Sequence, residues 1–298
     1  MGSITKTKLL VLPVAAIALI LAGCSSTPAA SGAGASTSTS SARYAVSATL
    51  VRAEKAGALR IAIDTEPPIS SIEGTKAVGV VPQVLEEFVK RVGMNVQIQA
   101  TATPFSSMVP EVQSGRVDTI AAGMYNTPPR AKVVNFTEPV LYNPETLIAP
   151  KGNPKHITGI NTSSLHGLTV GSYAGTTMLT DLQALAKKDS SIKVRSFTTA
   201  NLLALAVSQG QIDAGYIDQV SGAYFLKQAP SLNYEVLTGL ADTQPKSGTG
   251  DCLPVVKSDP QFVSLFNTVW NEMKADGSAA KIMEQNGLVP AASFLNAN

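Results

Sequence analysis

Cysteine and histidine are scarce in this chain of 298 residues, with two of each. That excludes a disulfide framework, and no Cys/His spacing suits a zinc site. Aromatic residues make up only 5%, with a single Trp, so an aromatic in a polar neighbourhood stands out. An excess of one charge is missing too. Setting aside Lys6 and Lys8 near the amino terminus, 21 basic residues balance 21 acidic ones, which removes any electrostatic argument for nucleic acid as a partner. No apolar run reaches the ~20 residues of a membrane span. What is there, 44% apolar and 15% charged, is the composition of a packed globule of one large or two modest domains.

The first residues read as an export signal. Lys6 and Lys8 precede the apolar run Leu9 to Leu21, which Pro13 interrupts, and Leu21-Ala22-Gly23-Cys24 follows. Small residues directly before a cysteine resemble a bacterial lipobox. The expectation is a signal peptide over residues 1–23, lipid on Cys24, and attachment to the extracytoplasmic face of the cell membrane. Ser25 to Ser41 is almost entirely Ser, Thr, Ala, Gly and Pro, so residues 24–46 read as a flexible tether. With Cys24 lipidated, Cys252 has no partner within the chain. Its neighbours Leu253, Val255 and Val256 mark it as a buried structural thiol.

Beyond the tether, strands and helices alternate, which favours an α/β architecture with mainly parallel sheets. Leu59 to Ile63 reads as a strand and Val81 to Val92 as a helix. Val96 to Ile98 and Thr119 to Ala122 read as further strands. Gly115-Arg116-Val117-Asp118 recurs as Gly210-Gln211-Ile212-Asp213, each time after an apolar helix and before a short strand. Two such units suggest two lobes built alike. Gly123 and Asp218 follow each aspartate at the same distance, at the carboxyl ends of equivalent strands, where open α/β sheets bind ligands.

Several stretches together resemble the solute-binding proteins of ABC importers, in the class that binds polar amino acids. They include Glu66-Pro67-Pro68, Ser114 to Asp118, Ala121 to Arg130, Phe136-Thr137-Glu138-Pro139, Gly175-Thr176-Thr177 and Lys274-Ala275-Asp276-Gly277. The likeness covers about Leu59 to Gly287. Gly79-x-x-Pro82-x-Val84 and Gly123-Met124-Tyr125 are locally more similar to ectoine- and hydroxyectoine-binding members. The resemblance implies a two-lobed, type II periplasmic-binding-protein-like fold, with two crossing strands as hinge, near Val140 to Asn143 and Gly248 to Cys252. Residues 47–142 and 250–298 would form the first lobe and residues 143–249 the second.

The resemblance also implies a site. Arg130 would bind a ligand carboxylate, with the Tyr125 N–H and the Thr127 hydroxyl completing the anion site; a guanidinium suits this through two parallel hydrogen bonds. Gly175, Thr176 and Thr177 precede an apolar helical pattern, and a glycine-hydroxyl turn there offers N–H groups to the same carboxylate. Asp218 would take the ligand's cationic nitrogen. Glu66 matches an acidic position of the ectoine binders, and Phe105 and Tyr125 match positions whose rings pack on the ligand. Ile69 is the departure, an aliphatic wall where relatives carry Phe or Tyr.

Enzyme readings find little support. There is no Gly-x-Ser-x-Gly elbow, Walker loop or Gly-x-Gly-x-x-Gly after a strand, and no cofactor is expected. The reading is a monomeric, lipid-anchored binding subunit of an ABC importer. It captures a polar, cationic or zwitterionic amino acid or derivative by lobe closure and passes it to a permease. A compatible solute such as ectoine, presentation of a ligand to a sensor, and a periplasmic dehydratase on the same fold are the alternatives.

Overall fold

The computed structural model describes residues 42–240 and 250–296. The signal peptide, Cys24 and most of the expected tether lie outside the described residues. The end of that tether does not read as expected: Arg43–Val46 is a 3-10 turn, and Arg43 is paired with Glu272 at 2.9 Å. Among the described residues no helix is long and apolar enough to cross a membrane.

Ser47 starts α1 (Ala48–Ala56), its side chain accepting from the Leu50 N–H, and Gly57 ends it in the left-handed conformation. β1 (Ala58–Ile63) follows. Its Leu59, Ile61 and Ile63 enter one core while Ala62 turns to the other, the two-residue period of a strand. A hairpin of β2 (Ser71–Glu73) and β3 (Lys76–Val78) leads into α2 (Val80–Arg91). Val81, Val84, Leu85, Phe88 and Val89 of this helix are buried. β4 (Gln97–Ala102) runs longer than the short strand expected, with Gln97, Gln99 and Thr101 exposed, because it lies at the edge of its sheet. A 3-10 turn at Phe105–Ser107, α3 (Met108–Gln113), β5 (Thr119–Ile120), α4 (Pro128–Ala131) and β6 (Val134–Phe136) continue the lobe.

The chain then crosses over. The second lobe holds β7 (Glu145–Pro150), α5 (Thr162–Leu165), β8 (Thr169–Tyr173), α6 (Thr177–Lys188) and β9 (Lys193–Phe197). It continues with α7 (Ala200–Ser208), β10 (Ala214–Asp218), α8 (Gln219–Gln228) and β11 (Tyr234–Val236). The chain returns to the first lobe with β12 (Pro254–Val256), α9 (Pro260–Ala275), α10 (Ser278–Gln285) and α11 (Ala291–Leu295).

The sheets are ordered β4-β1-β5-β12-β6 and β9-β8-β10-β7-β11. In each, three neighbouring strands run parallel, and the strand that has just arrived from the other lobe, β12 or β7, lies antiparallel beside them. Where the chain crosses, Asp251 pairs with Leu141, its N–H donating to the Leu141 carbonyl at 2.8 Å.

The recurring Gly-x-apolar-Asp turn is the same structure twice. Gly115 and Gly210 have φ of +69° and +66°, which only glycine adopts without strain. Asp118 accepts the Arg60 N–H at 2.9 Å, and Asp213 accepts the Thr169 N–H at 2.8 Å. Each carboxylate thereby ties the repeat turn to the neighbouring parallel strand.

Candidate functional site

A small cavity of about 10 Å3 lies between the lobes, lined by Phe105, Gly123, Tyr125 and Arg130 from the first and Glu145, Tyr173, Thr176, Thr177, Met178 and Asp218 from the second. A larger groove of about 560 Å3 runs beside β4, lined by Lys76, Glu86 and Lys90, but none of its charged residues is buried. Convergent buried charges single out the smaller cavity.

Its first-lobe wall comes from strand ends. Phe105 sits in the turn after β4, and the Arg130 guanidinium lies 5.5 Å from its ring centroid. Arg130 stands on the short helix α4, which begins with Pro128. Its Nη1 donates to the Tyr125 carbonyl at 2.9 Å and its Nη2 to the Gly175 carbonyl at 2.8 Å, so it bridges the lobes. Burial lowers its pKa below the usual guanidinium value, yet arginine stays a cation in proteins. The Tyr125 hydroxyl donates to the Asn143 carbonyl at 3.2 Å, which anchors the ring at the first crossing.

The second-lobe wall is a turn and two strand ends. Gly175 has φ of +88°, and a Cβ there would lie 2.7 Å from the Ser106 Cα, so only glycine lets this turn approach the first lobe. Thr176 caps α6, its hydroxyl accepting from the Leu179 N–H at 3.1 Å and donating to the Tyr173 carbonyl at 2.7 Å. Thr177 reaches the Glu145 carboxyl at 3.4 Å. Asp218 ends β10, is 4% exposed, and accepts from the Tyr173 hydroxyl at 2.8 Å.

Behind Gly123 stands Glu66, 1% exposed, accepting the Gly123 N–H at 3.3 Å and lying 3.2 Å from the Tyr173 hydroxyl. That hydroxyl has one hydrogen, and its shorter contact is with Asp218. The Tyr173 hydroxyl thus stands between two buried carboxyls and can donate to only one of them at a time. Burial raises Glu66 well above the carboxylate range, and Asp218, Asp251 and Asp64 add to it. Burial also raises Asp218, opposed by its bonds to Glu66 and Tyr173. Burial lifts Glu145 to about 7, where Asp218 and Asp181 add and the bond from Tyr216 opposes, and lifts Asp64 to about 6. A cation brought beside these acids would favour their ionised forms and offset the effect of burial. Among the described residues no group of His, Cys, Asp and Glu is arranged to hold a metal ion.

The structure thus brings Phe105, Gly123, Tyr125, Arg130, Thr176, Thr177 and Asp218 to one cavity, with Gly175 and Glu66 directly behind. Two expectations need correction. Ile69 is fully buried in the first-lobe core and lines no part of the cavity, because the turn that follows the proline pair carries it inward beneath α2. Thr127 precedes α4 without a side-chain cap bond and does not reach the cavity. Sequence reasoning missed Glu145, Tyr173 and Met178. Tyr173 carried a signal, an aromatic residue just before Gly175-Thr176, whereas Glu145 becomes visible only once β7 is seen to lie beside β10. Cys252 is 3% exposed, and burial pushes its thiol up to about 12, consistent with a structural role.

Comparison with known proteins finds relatives over most of the chain. A probable histidine-binding protein of Campylobacter jejuni is 27% identical over 222 residues, covering 74% of this chain and 81% of its own. The ABC transporter arginine-binding protein 1 of Escherichia coli is 27% identical over 74% of this chain and 86% of its own. An ancestral arginine-binding protein solved with arginine superposes with a TM-score of 0.68 at 26% identity, covering 77% of this chain and 97% of that one. Residues 59–288 match the bacterial extracellular solute-binding proteins, family 3, and the chain belongs to that family.

Proposed function

We propose that the protein captures an amino acid carrying at least one cationic nitrogen, closes its lobes over it and delivers it to the permease of an ABC importer. The observation that carries this reading is the charge arrangement of the cavity, where one guanidinium, Arg130, faces the carboxyls of Asp218, Glu145 and Glu66. Arg130 takes the ligand carboxylate and Asp218 the α-ammonium, while Phe105, Tyr125, Thr176 and Thr177 close around the rest. Relatives named for histidine, for arginine, and for lysine, arginine and ornithine point the same way. The cavity holds about 10 Å3, far below the ~300–1,000 Å3 of usual ligand pockets, so the solute enters when the lobes part. Closure is then favoured only by the interactions that the second lobe adds to those of the first.

The test is a thermal-shift screen of the full chain against the proteinogenic amino acids, ornithine and ectoine. A true ligand at a hundredfold excess over Kd adds about 2.7 kcal/mol of stability. A response to ectoine alone would shift the reading to a compatible solute, for which the acid at Glu66 is the motive. No response to any amino acid would refute the reading proposed. The protein releases its solute unchanged, although one solved neighbour, 25% identical, is described as a precursor of cyclohexadienyl dehydratase. Recovery of a chemically altered solute after incubation would overturn the binder reading.

The amino-terminal pattern ending at Cys24 supports a lipid anchor on the extracytoplasmic face of the membrane. Cys24→Ser should move the protein to the soluble fraction, and an undiminished membrane-bound pool would refute the anchor.

A further inference from the structure

Gly123 lines the cavity, and its φ is not in the left-handed region, so its conformation does not call for glycine. Space does. A Cβ there would lie 3.2 Å from Glu66 Oε2 and 3.3 Å from Asp251 Oδ1. The missing side chain therefore leaves a gap between the cavity and two buried carboxyls. Glu66 is accounted for by its bonds to Gly123 and Tyr173. Asp251 is not. It is fully buried, and neither carboxylate oxygen has a hydrogen-bond partner among the described residues.

Such a group is costly. A buried carboxyl without donors loses its hydration and gains nothing in exchange, so a purely structural position would favour an apolar side chain. The main chain of Asp251 pairs with Tyr125 and Leu141, and that pairing makes no demand on the side chain. Burial holds the carboxyl well above the carboxylate range, and the charged groups acting on it, Asp218 and Glu145, are themselves acids that add to the shift. What the group lacks is a donor, preferably a positive one, arriving from the cavity side.

We infer that Asp251 is a ligand-binding carboxylate, reached through the gap at Gly123, that takes the side-chain ammonium or guanidinium of a dibasic amino acid. The inference rests on the amino-acid reading above and deepens it. Asp218 serves the α-ammonium that every amino acid carries, and Asp251 serves the second cation that only a dibasic one carries. A neutral solute would leave Asp251 unsatisfied, which is a penalty against the wrong ligand as well as a gain for the right one. The second-cation site is then part of the chain crossing that joins the lobes.

The experiment is calorimetry on the full chain, wild type and Asp251→Asn, with lysine, arginine, ornithine and glutamine. The wild type should prefer the dibasic amino acids, and in Asp251→Asn that preference over glutamine should fall at least tenfold. A preference kept within threefold in a folded Asp251→Asn protein would overturn the assignment of Asp251 and leave the amino-acid reading standing. A wild type that binds glutamine but no dibasic amino acid would overturn it as well. A wild type that binds none of the four would overturn the inference, and one that binds no other amino acid either would remove both readings. Should Asp251→Asn fail to fold, Gly123→Ala decides: closing the gap should lower the same preference several-fold, and an unchanged preference would overturn the inference.

Discussion

In the first lobe Asp118 clamps the Arg60 N–H and is further paired with the side chains of Arg52 and Arg60. In the second lobe Asp213 clamps the Thr169 N–H and, among the described residues, has only Lys155, at 3.7 Å, for a charged partner. The turn and the backbone clamp are common to both, so they belong to the fold. Five residues further on, the lobes part company: Gly123 contributes space and an N–H, and Asp218 contributes a carboxylate. Two copies of one scaffold thus present opposite things to a shared cavity. A solute whose parts differ in shape and charge suits that division.

The largest effect expected from breaking this division is at Arg130, the only basic residue among the described residues that line the cavity. Arg130→Ala should cost roughly 2–5 kcal/mol of amino-acid binding, because it leaves the ligand carboxylate buried without its partner. Arg130→Lys should restore only part, since an ammonium lacks the planar fork. Calorimetry decides, and a Kd for Arg130→Ala within threefold of wild type would remove Arg130 from the site.

A smaller effect sharpens the scaffold half of the comparison. The Asp118 side chain is 1% exposed and that of Asp213 is 28% exposed. Asp118→Ala should therefore lower unfolding stability in urea by roughly 1.5–3 kcal/mol, the scale of bonds to a charged group, and Asp213→Ala by about 1 kcal/mol. Equal losses would mean that Arg52 and Arg60 add nothing to the backbone clamp.

A third effect concerns the acids. Asp64 in the first lobe is raised to about 6 and Glu145 in the second to about 7, both chiefly by burial. A carboxyl raised on folding adds stability below its unfolded pKa, near 4, and that contribution is lost as pH rises through the folded value. Without ligand, Tm should fall from pH 5 to pH 8, at about 2–4 °C for each kcal/mol lost. Glu145→Gln should flatten the later part of that fall, and an unchanged slope would place its titration elsewhere. A cationic ligand should reverse the trend, because it favours the ionised acids.

Much of this is legible in the sequence because the signals are local. The glycines at 115 and 210, the cap at Thr176 and the run to Arg130 lie in short motifs whose conformation their own residues dictate. Glu145 and Asp251 are not legible. Each takes its role from a strand that has crossed from the other lobe, and no local pattern announces where a crossing strand will lie. Ile69 is misplaced for a related reason. Its neighbours in sequence suggest a cavity wall, but its carbonyl accepts the Val81 N–H at 3.0 Å, which seats it under α2 in the core.

The pairing of Asp251 with Leu141 and Tyr125 has a mechanical consequence. Points close to a pivot travel least when two bodies swing apart, and points at the end of the lever arm travel most. Asp251 lies where the two chain crossings touch, whereas the Arg130 to Gly175 contact spans the mouth between the lobes. Swinging the lobes open would separate Arg130 from Gly175 while the groups around Asp251 keep their spacing. A solute arriving at the parted lobes would meet the pivot end of the cavity already assembled, and the rim would be the last part to form around it.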